Sequence, residues 1–179
     1  MYLFFFCLVS DSIASEPNAP EISDVSLTIN GGHLFLSFRL INGMPGKMEE
    51  LVKSGVPVRY IFNVTIKKKG LLWDDELKSM ELRRTIRFDN LRNRYFLHFD
   101  YPSTKLISIE KLKRAKKFLF NVQDLKLISM KRLEKGEKYT IEIKARSEKG
   151  ESSLPFSRLV KMFTSFGFSS KTYEFEFTL

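Results

Sequence analysis

The sequence predicts a mainly β domain of the α+β class, built as an antiparallel sandwich. Apolar and polar residues alternate with a period of two in one segment after another, a pattern typical of strands that bury one face. Short turns rich in glycine or polar residues join these segments. Apolar residues recur at helical spacing over residues 108–119 and, for a shorter stretch, over residues 156–163. Because the chain has 179 residues, we expect a single domain over residues 22–179, with about eight strands, one amphipathic helix and one or two short helices.

A hairpin opens this domain. Residues 25–29 alternate, and the glycine-containing segment 30–32 supplies the positive φ angles that a tight turn needs. The returning strand directs four apolar side chains inward, those of Leu34, Leu36, Phe38 and Leu40. Residues 47–53 then predict one or two helical turns. Residues 56–66 follow, alternate without an error, and predict the clearest strand of the chain.

The middle of the chain combines a meander with a helix. Residues 80–88 and 95–101 alternate again and predict antiparallel strands with one wet face. Beyond them, apolar residues recur at helical spacing, and Ser108 is placed as an N-cap. The segment therefore predicts an amphipathic helix over residues 108–119 whose outer face is strongly basic.

Three elements complete the predicted domain. Residues 122–130 predict a strand, and residues 156–163 carry apolar side chains at the spacing of a short helix. The last segment, residues 173–179, alternates aromatic residues with glutamates. We expect this terminal strand to be paired within a sheet.

The N-terminal segment indicates export. Residues 2–9 form an apolar run that is too short to cross a bilayer but suits a secretory signal. Ser12 and Ala14 occupy the small-residue positions of a cleavage site, and residues 16–21 form a linker. We expect cleavage near Ala14, a signal peptide over residues 1–15, and a periplasmic or secreted product with no transmembrane span. A buried phenylalanine-rich strand is the alternative for this segment.

The chain is basic, with a formal charge of +9 at pH 7. Basic surfaces attract phosphate, in nucleic acid or in anionic lipid head groups, although a solvated surface is the plain alternative. Two groups of basic residues stand out as candidates for surface binding. The helical group is Lys105, Lys111, Lys113, Arg114, Lys116 and Lys117. The strand-tip group is Lys67, Lys68 and Lys69. Aromatic residues fall on the inward faces of strands, so we expect no nucleic acid partner.

One segment, "LEKGEKYTIEIKAR", has the pattern of a structural corner. Leu133, Gly136 and Tyr139 stand in the order and spacing of the tyrosine corner of immunoglobulin-like sandwiches. The segment resembles this corner in fibronectin type III modules. That resemblance implies an immunoglobulin- or fibronectin-like sandwich, in which the Tyr139 hydroxyl bonds to the backbone a few residues upstream.

A wider resemblance covers nearly the whole chain after the linker. In order, it rests on "SGVPVRYIFNVTI", "LLWDD", "LKRAKKFLFNV", "LEKGEKYTIEIKAR" and "SSLP". This succession is similar to that of an exported bacterial family called domain of unknown function 4390. The resemblance implies no activity, because the family has none assigned. In some genomes its members are encoded beside a nitrogen-regulation type sensor kinase, which implies a role accessory to such a kinase.

Candidate catalytic and metal-binding residues are few. The acidic segment 73–76 could bind a hard cation such as calcium, but consecutive carboxylates in a turn do not converge. We therefore favour a solvated turn with Trp73 packed beneath it. His33 and His98 lie in predicted strands without other metal-ligating residues at suitable spacing, so we interpret both as structural. With no P-loop, dinucleotide or nucleophile-elbow pattern, we expect neither a cofactor nor an enzymatic activity.

These observations favour an exported, non-enzymatic binding or structural module of the cell envelope. Its partner would be an envelope protein or an anionic membrane surface, with the basic helix as the contact. The alternative is a carrier of a small apolar ligand or lipid, in which the 17 phenylalanines line a pocket instead of filling a core.

Overall fold

The computed structural model describes residues 19–149 and 167–179. The predicted signal peptide and the predicted helix over residues 156–163 lie outside the described residues. In chain order, the elements are β1 Glu21–Asn30, β2 His33–Ile41, α1 Gly46–Lys53, β3 Val58–Lys68, β4 Asp75–Asp89, β5 Arg94–Phe99, β6 Lys105–Ile109, α2 Leu112–Phe120, β7 Asn121–Ser129, a single 3-10 turn Met130–Arg132, β8 Lys138–Lys149 and β9 Tyr173–Thr178.

The strands form two sheets in which every pairing is antiparallel. One sheet has three strands in the order β1-β2-β7, and the other has six in the order β6-β5-β4-β3-β8-β9. Phe38 of the small sheet meets Phe62 of the large sheet edge-on, with ring centroids 5.7 Å apart, and one hydrophobic core includes residues of both sheets. The prediction of a mainly β antiparallel sandwich is therefore confirmed.

The strand order also bears on the finer class. Immunoglobulin-like sandwiches place strands C, F and G in one sheet and strands A, B and E in the other. Along this chain, β3, β8 and β9 share the large sheet, and β1, β2 and β7 share the small one. The immunoglobulin-like class stays a prediction, and this order favours it.

The predicted alternation sets the core. The four inward residues of β2 are each no more than 3% exposed, and on β3 the alternate residues from Val58 to Ile66 are each no more than 1% exposed. The β1–β2 hairpin turns at Gly31 and Gly32, whose φ angles are +53° and +71°. Left-handed backbone of this kind favours glycine, which explains why the pair lies at the tip.

The tyrosine corner has the predicted geometry. Tyr139 is the second residue of β8 and is 1% exposed, and its hydroxyl accepts a hydrogen bond from the backbone nitrogen of Glu134 at 2.7 Å. Its ring stacks on Phe177 of β9, with centroids 5.5 Å apart. Gly136 has a φ of +85° and Leu133 packs against the core, so both hold the chain that leads into β8.

The helix prediction over residues 108–119 is wrong at its beginning. Ser108 is not an N-cap, because it lies in β6, which pairs with β5 along its whole length. The helix α2 begins at Leu112 instead, and Lys111 precedes it without a side-chain hydrogen bond to cap it. Ile107 and Ile109 point towards the core at a spacing of two, so strand pairing determines the conformation of this segment.

Both helices lie at the end of the sandwich where β3 begins. The Tyr60 hydroxyl donates to the Met48 sulfur of α1, 2.9 Å away, and the Tyr60 ring contacts Phe120 of α2 edge-on at 5.1 Å. Burial raises the pKa of Tyr60, as expected for a phenol in an apolar setting. Tyr60 therefore identifies the end of the domain that carries the basic helix.

Candidate functional site

The outer face of α2 carries cations that the rest of the described chain does not neutralise. Ala115 and Leu119 are fully buried, so the opposite side of the helix faces solvent. Five of the six predicted basic residues of this group are exposed and form no ion pair with any described residue. They are Lys105, Lys111, Lys113, Arg114 and Lys117. Lys105 begins the strand β6 and does not lie on α2, so its place in the predicted helical group is wrong. We call the other four, which lie on α2 or directly before it, the α2 cations.

Lys116 differs from the α2 cations. Its ammonium group lies 2.7 Å from a carboxylate oxygen of Glu49 on α1, and Lys53 contacts the other oxygen at the same distance. The hydrogen bond from Lys116, followed by that from Lys53, holds the pKa of Glu49 below its ordinary value. Lys116 therefore links the two helices and is not available to a partner.

Two clefts border α2 and share one wall. The first has a volume of about 350 Å³ and lies between β6, the residues that enter α2, and Arg94 of β5. Its cations are Arg94, Lys111 and Arg114, and its apolar lining includes Phe118. The second cleft, of about 340 Å³, is lined by Arg114, Lys117, Phe118, Asn121 and Gln123. Arg114 and Phe118 therefore belong to both clefts.

The shared wall is a cation–aromatic pair. The Arg114 guanidinium lies 5.9 Å from the centre of the Phe118 ring, and Phe118 remains 40% exposed. The carboxylate in the first cleft, that of Glu110, is already paired with Arg94. An anion that enters either cleft thus meets positive charge beside an apolar surface.

The beginning of α2 adds to this positive potential. The first turn contains no acidic residue, and Lys111 offers no side-chain acceptor to the free amides there. A helix N-terminus carries about half a positive charge from its aligned peptide dipoles. The dipole and the side chains therefore have the same sign beside the first cleft.

Arg84 holds the other end of α2, and sequence analysis missed it. The residue is 9% exposed, and its Nη1 donates to the carbonyl oxygens of Phe118, Leu119 and Asn121 at 2.9, 3.0 and 2.7 Å. Burial lowers the pKa of Arg84 to about 10. In β4 it occupies the inward position between Leu82 and Ile86, and this break in the apolar pattern was the available signal.

The strand-tip lysines do not join the α2 cations. Lys68 lies eight residues from Tyr60 along β3, a distance of about 26 Å at the usual rise per strand residue. Each of these lysines also contacts a carboxylate: Lys67 pairs with Glu142, Lys68 with Glu134 at 3.0 Å, and Lys69 with Glu176 at 3.1 Å. They stabilise the far end of the sandwich instead of forming a continuous basic surface.

Trp73 is not packed beneath a turn, so that prediction is wrong. It lies 80% exposed in the β3–β4 connection, beside Leu71 and Leu72, which are also exposed. The connection closes tightly because the Asp74 carboxylate accepts from the Gly70 amide at 3.4 Å. This closure leaves the three apolar side chains on the outside of the turn.

The histidines have local partners. His33 contacts the carbonyl of Gly31 at 2.9 Å, and His98 is exposed beside the Asp100 carboxylate at 3.1 Å. Within residues 19–149 and 167–179, no three cysteine, histidine or acidic side chains gather as they would around a metal ion. No helix in those same ranges has the length and apolar character needed to span a membrane.

The architecture and its basic face define a class: an antiparallel β-sandwich with an outward-facing basic helix that borders two cation-lined clefts. The chain belongs to the family described as domain of unknown function (DUF4390), whose model matches residues 18–176. Searches of curated proteins and of solved structures found no significant match.

Proposed function

We propose that this protein is an exported, non-enzymatic binding module that contacts the anionic membrane surface of the cell envelope through α2. The observation that supports the proposal most is the set of α2 cations, which have no ion-pair partner among the described residues although the same chain pairs its other lysine cluster. The predicted signal peptide supports export to the compartment where such a surface is available.

The expected strength of the contact is modest. A basic residue near an anionic bilayer contributes about 1 kcal/mol, so four such residues give about 4 kcal/mol, equivalent to a dissociation constant on the order of 1 mM. This would suffice for reversible association with a surface that presents many head groups. The binding should weaken as salt is raised, since exposed charges are screened over about 10 Å at 0.1 M ionic strength.

The test is co-sedimentation with vesicles of phosphatidylcholine alone and of phosphatidylcholine mixed with phosphatidylglycerol. We expect retention only on the anionic vesicles. The double substitution Lys113→Gln and Lys117→Gln should lower the affinity for anionic vesicles about 25-fold, at about fivefold per cation removed. Lys135→Gln together with Lys138→Gln is the matched control, because it also removes two positive charges and both lysines are exposed beside the tyrosine corner, at the other end of the domain. Equal retention by neutral and anionic vesicles would reject the proposal.

Orientation provides a second test. Trp73 is the only tryptophan and lies at the opposite end of β3 from α2. If α2 makes the contact, vesicle binding should leave the emission maximum of Trp73 unchanged and the ring open to a water-soluble quencher. A blue shift on binding would place the β3–β4 turn in the bilayer and would refute the assignment to α2.

Export and partnership need their own measurements. N-terminal sequencing of protein recovered from the periplasm or medium should find a mature chain that begins just after Ala14, whereas a mature chain starting at Met1 would reject the signal. A role beside a sensor kinase rests on the family resemblance alone, and cross-linking in cells tests it. The carrier alternative gains no support from the described core, where Phe38, Phe62 and Phe120 pack in ring contacts.

A further inference from the structure

We propose that the two clefts beside α2 bind the two phosphate groups of one amphiphile, such as a phospholipid that carries two phosphates. This inference rests on the proposed function and makes it specific. A uniform basic face would respond only to charge density. Two separate clefts, with cations in each and an apolar wall between, would recognise how the charges are distributed on the ligand.

The first phosphate site is the cleft of about 350 Å³. Arg94, Lys111 and Arg114 provide its positive charge, and the Ser108 side chain adds a hydroxyl donor. The Glu110 carboxylate also lines this cleft, but it is paired with Arg94. Lys111 and Arg114 are therefore the two cations left for an anion, with the N-terminal end of the α2 dipole beside them.

The second phosphate site is the neighbouring cleft of about 340 Å³. Lys117 and Arg114 supply its positive charge, while Asn121 and Gln123 provide amide donors. None of the described residues that line this cleft carries a carboxylate. Lys111 and Lys117 are six residues apart, which is about 9 Å along a helix axis. Two phosphates joined by a glycerol can match this separation once the long lysine side chains reach towards them.

The wall between the clefts favours a lipid over a soluble bisphosphate. Phe118 stands in both clefts and is 40% exposed, although Ala115 and Leu119 on the same helix are fully buried. Ile107 and Ile109 extend the apolar lining of the first cleft. An exposed aromatic ring between two cationic sites offers a contact for the glycerol backbone and the first carbons of an acyl chain.

The experiment compares two anionic vesicles of equal surface charge. One contains cardiolipin, which has two phosphates, and the other contains phosphatidylglycerol at twice the mole fraction, both in phosphatidylcholine. We expect the cardiolipin vesicles to bind about fivefold more tightly, which corresponds to one additional cation contact. Equal binding to both vesicles would overturn this inference and leave the proposed function standing. Binding to neither would overturn both.

Variants locate the preference within the clefts. Arg114→Gln should remove the preference for cardiolipin over phosphatidylglycerol, because Arg114 lines both clefts. Arg114→Lys should keep much of this preference. Lys117→Gln should reduce cardiolipin binding towards the phosphatidylglycerol value, and the distant Lys135→Gln should preserve the preference. Circular dichroism checks that each variant is folded. If Lys135→Gln removes the preference as fully as Arg114→Gln does, the clefts are not its origin.

A soluble competitor separates the two possible sources of the phosphates. Glycerol bisphosphate should compete with cardiolipin vesicles only weakly, because it lacks the acyl carbons that contact Phe118. Phe118→Ser should accordingly lower cardiolipin affinity without changing glycerol bisphosphate binding. Complete competition by glycerol bisphosphate at concentrations comparable to the lipid would reject the amphiphile and indicate a soluble bisphosphate ligand.

Discussion

Replacing Tyr139 with phenylalanine isolates the energy of the tyrosine corner. The ring is 1% exposed and stacks on Phe177, so the substitution keeps its packing and removes only the hydroxyl. That hydroxyl accepts from the Glu134 amide at 2.7 Å, while its donation to the Glu134 carbonyl is long, at 3.4 Å. One good hydrogen bond is lost, and water can reach the freed amide only in part. We therefore expect a cost of about 1–2 kcal/mol.

Urea unfolding followed by far-ultraviolet circular dichroism measures this cost. The midpoint should fall with an unchanged slope, and the melting temperature should drop by about 2–8 °C for a chain of this length. Tyr95→Phe is the matched control, because Tyr95 is 6% exposed and its hydroxyl has no hydrogen bond to any described residue. Equal losses in the two variants would refute the corner as the cause. Vesicle binding should be unaffected, since Tyr139 lies at the end opposite α2.

Three further substitutions test other parts of the structure. Arg84→Met should lower the free energy of unfolding by about 1–3 kcal/mol and speed amide hydrogen exchange in α2, because carbonyl oxygens at the end of the helix lose their donor. Unchanged exchange would contradict the role of Arg84 in holding this end of the helix. Glu49→Gln should cost up to about 1 kcal/mol at pH 7. The pKa of Glu49 is lower in the folded protein than its ordinary value of 4.5. The stability difference between the native protein and the variant should therefore be fully present above pH 4.5 and should vanish as the pH falls through the folded pKa. Urea unfolding at several pH values would measure this difference. Gly70→Ala would place a methyl group 1.9 Å from the Trp73 carbonyl oxygen, so the turn must adopt another conformation. The fluorescence anisotropy of Trp73 should therefore change, while vesicle binding should not.

The strands were predictable because one physical signal dominates them. On β3, apolar residues occupy every inward position from Val58 to Ile66, and each of them is buried in the structure. The beginning of α2 was not predictable in this way. The spacing of Ile109, Leu112 and Ala115 is that of a helix. The spacing of Ile107 and Ile109, by contrast, is that of a strand. Pairing with β5 decides between them, and that pairing is a tertiary contact.

The electrostatic partners were hidden for a similar reason. Lys67 pairs with Glu142, which lies 75 positions away in the sequence, and Arg84 donates to carbonyl oxygens 34 to 37 positions away. A sequence identifies basic residues but does not say which of them the fold neutralises. For this reason the two basic groups looked equivalent before the structure separated them.

That separation is the strongest physical reason to assign a role to the α2 face. Solubility alone would give no reason to treat the two basic groups differently. Yet each strand-tip lysine contacts a carboxylate, while among the cations of α2 only Lys116 contacts a carboxylate of a described residue. The carbonyl oxygens at the end of α2 are also satisfied from inside, by Arg84, so the outer cations are not needed there as caps. The buried guanidinium of Arg84 holds one end of α2, and Lys116 links the helix to α1. The remaining cations of α2 therefore lie on a fixed support. Such a support is the condition for recognising the spacing of charges as well as their sign.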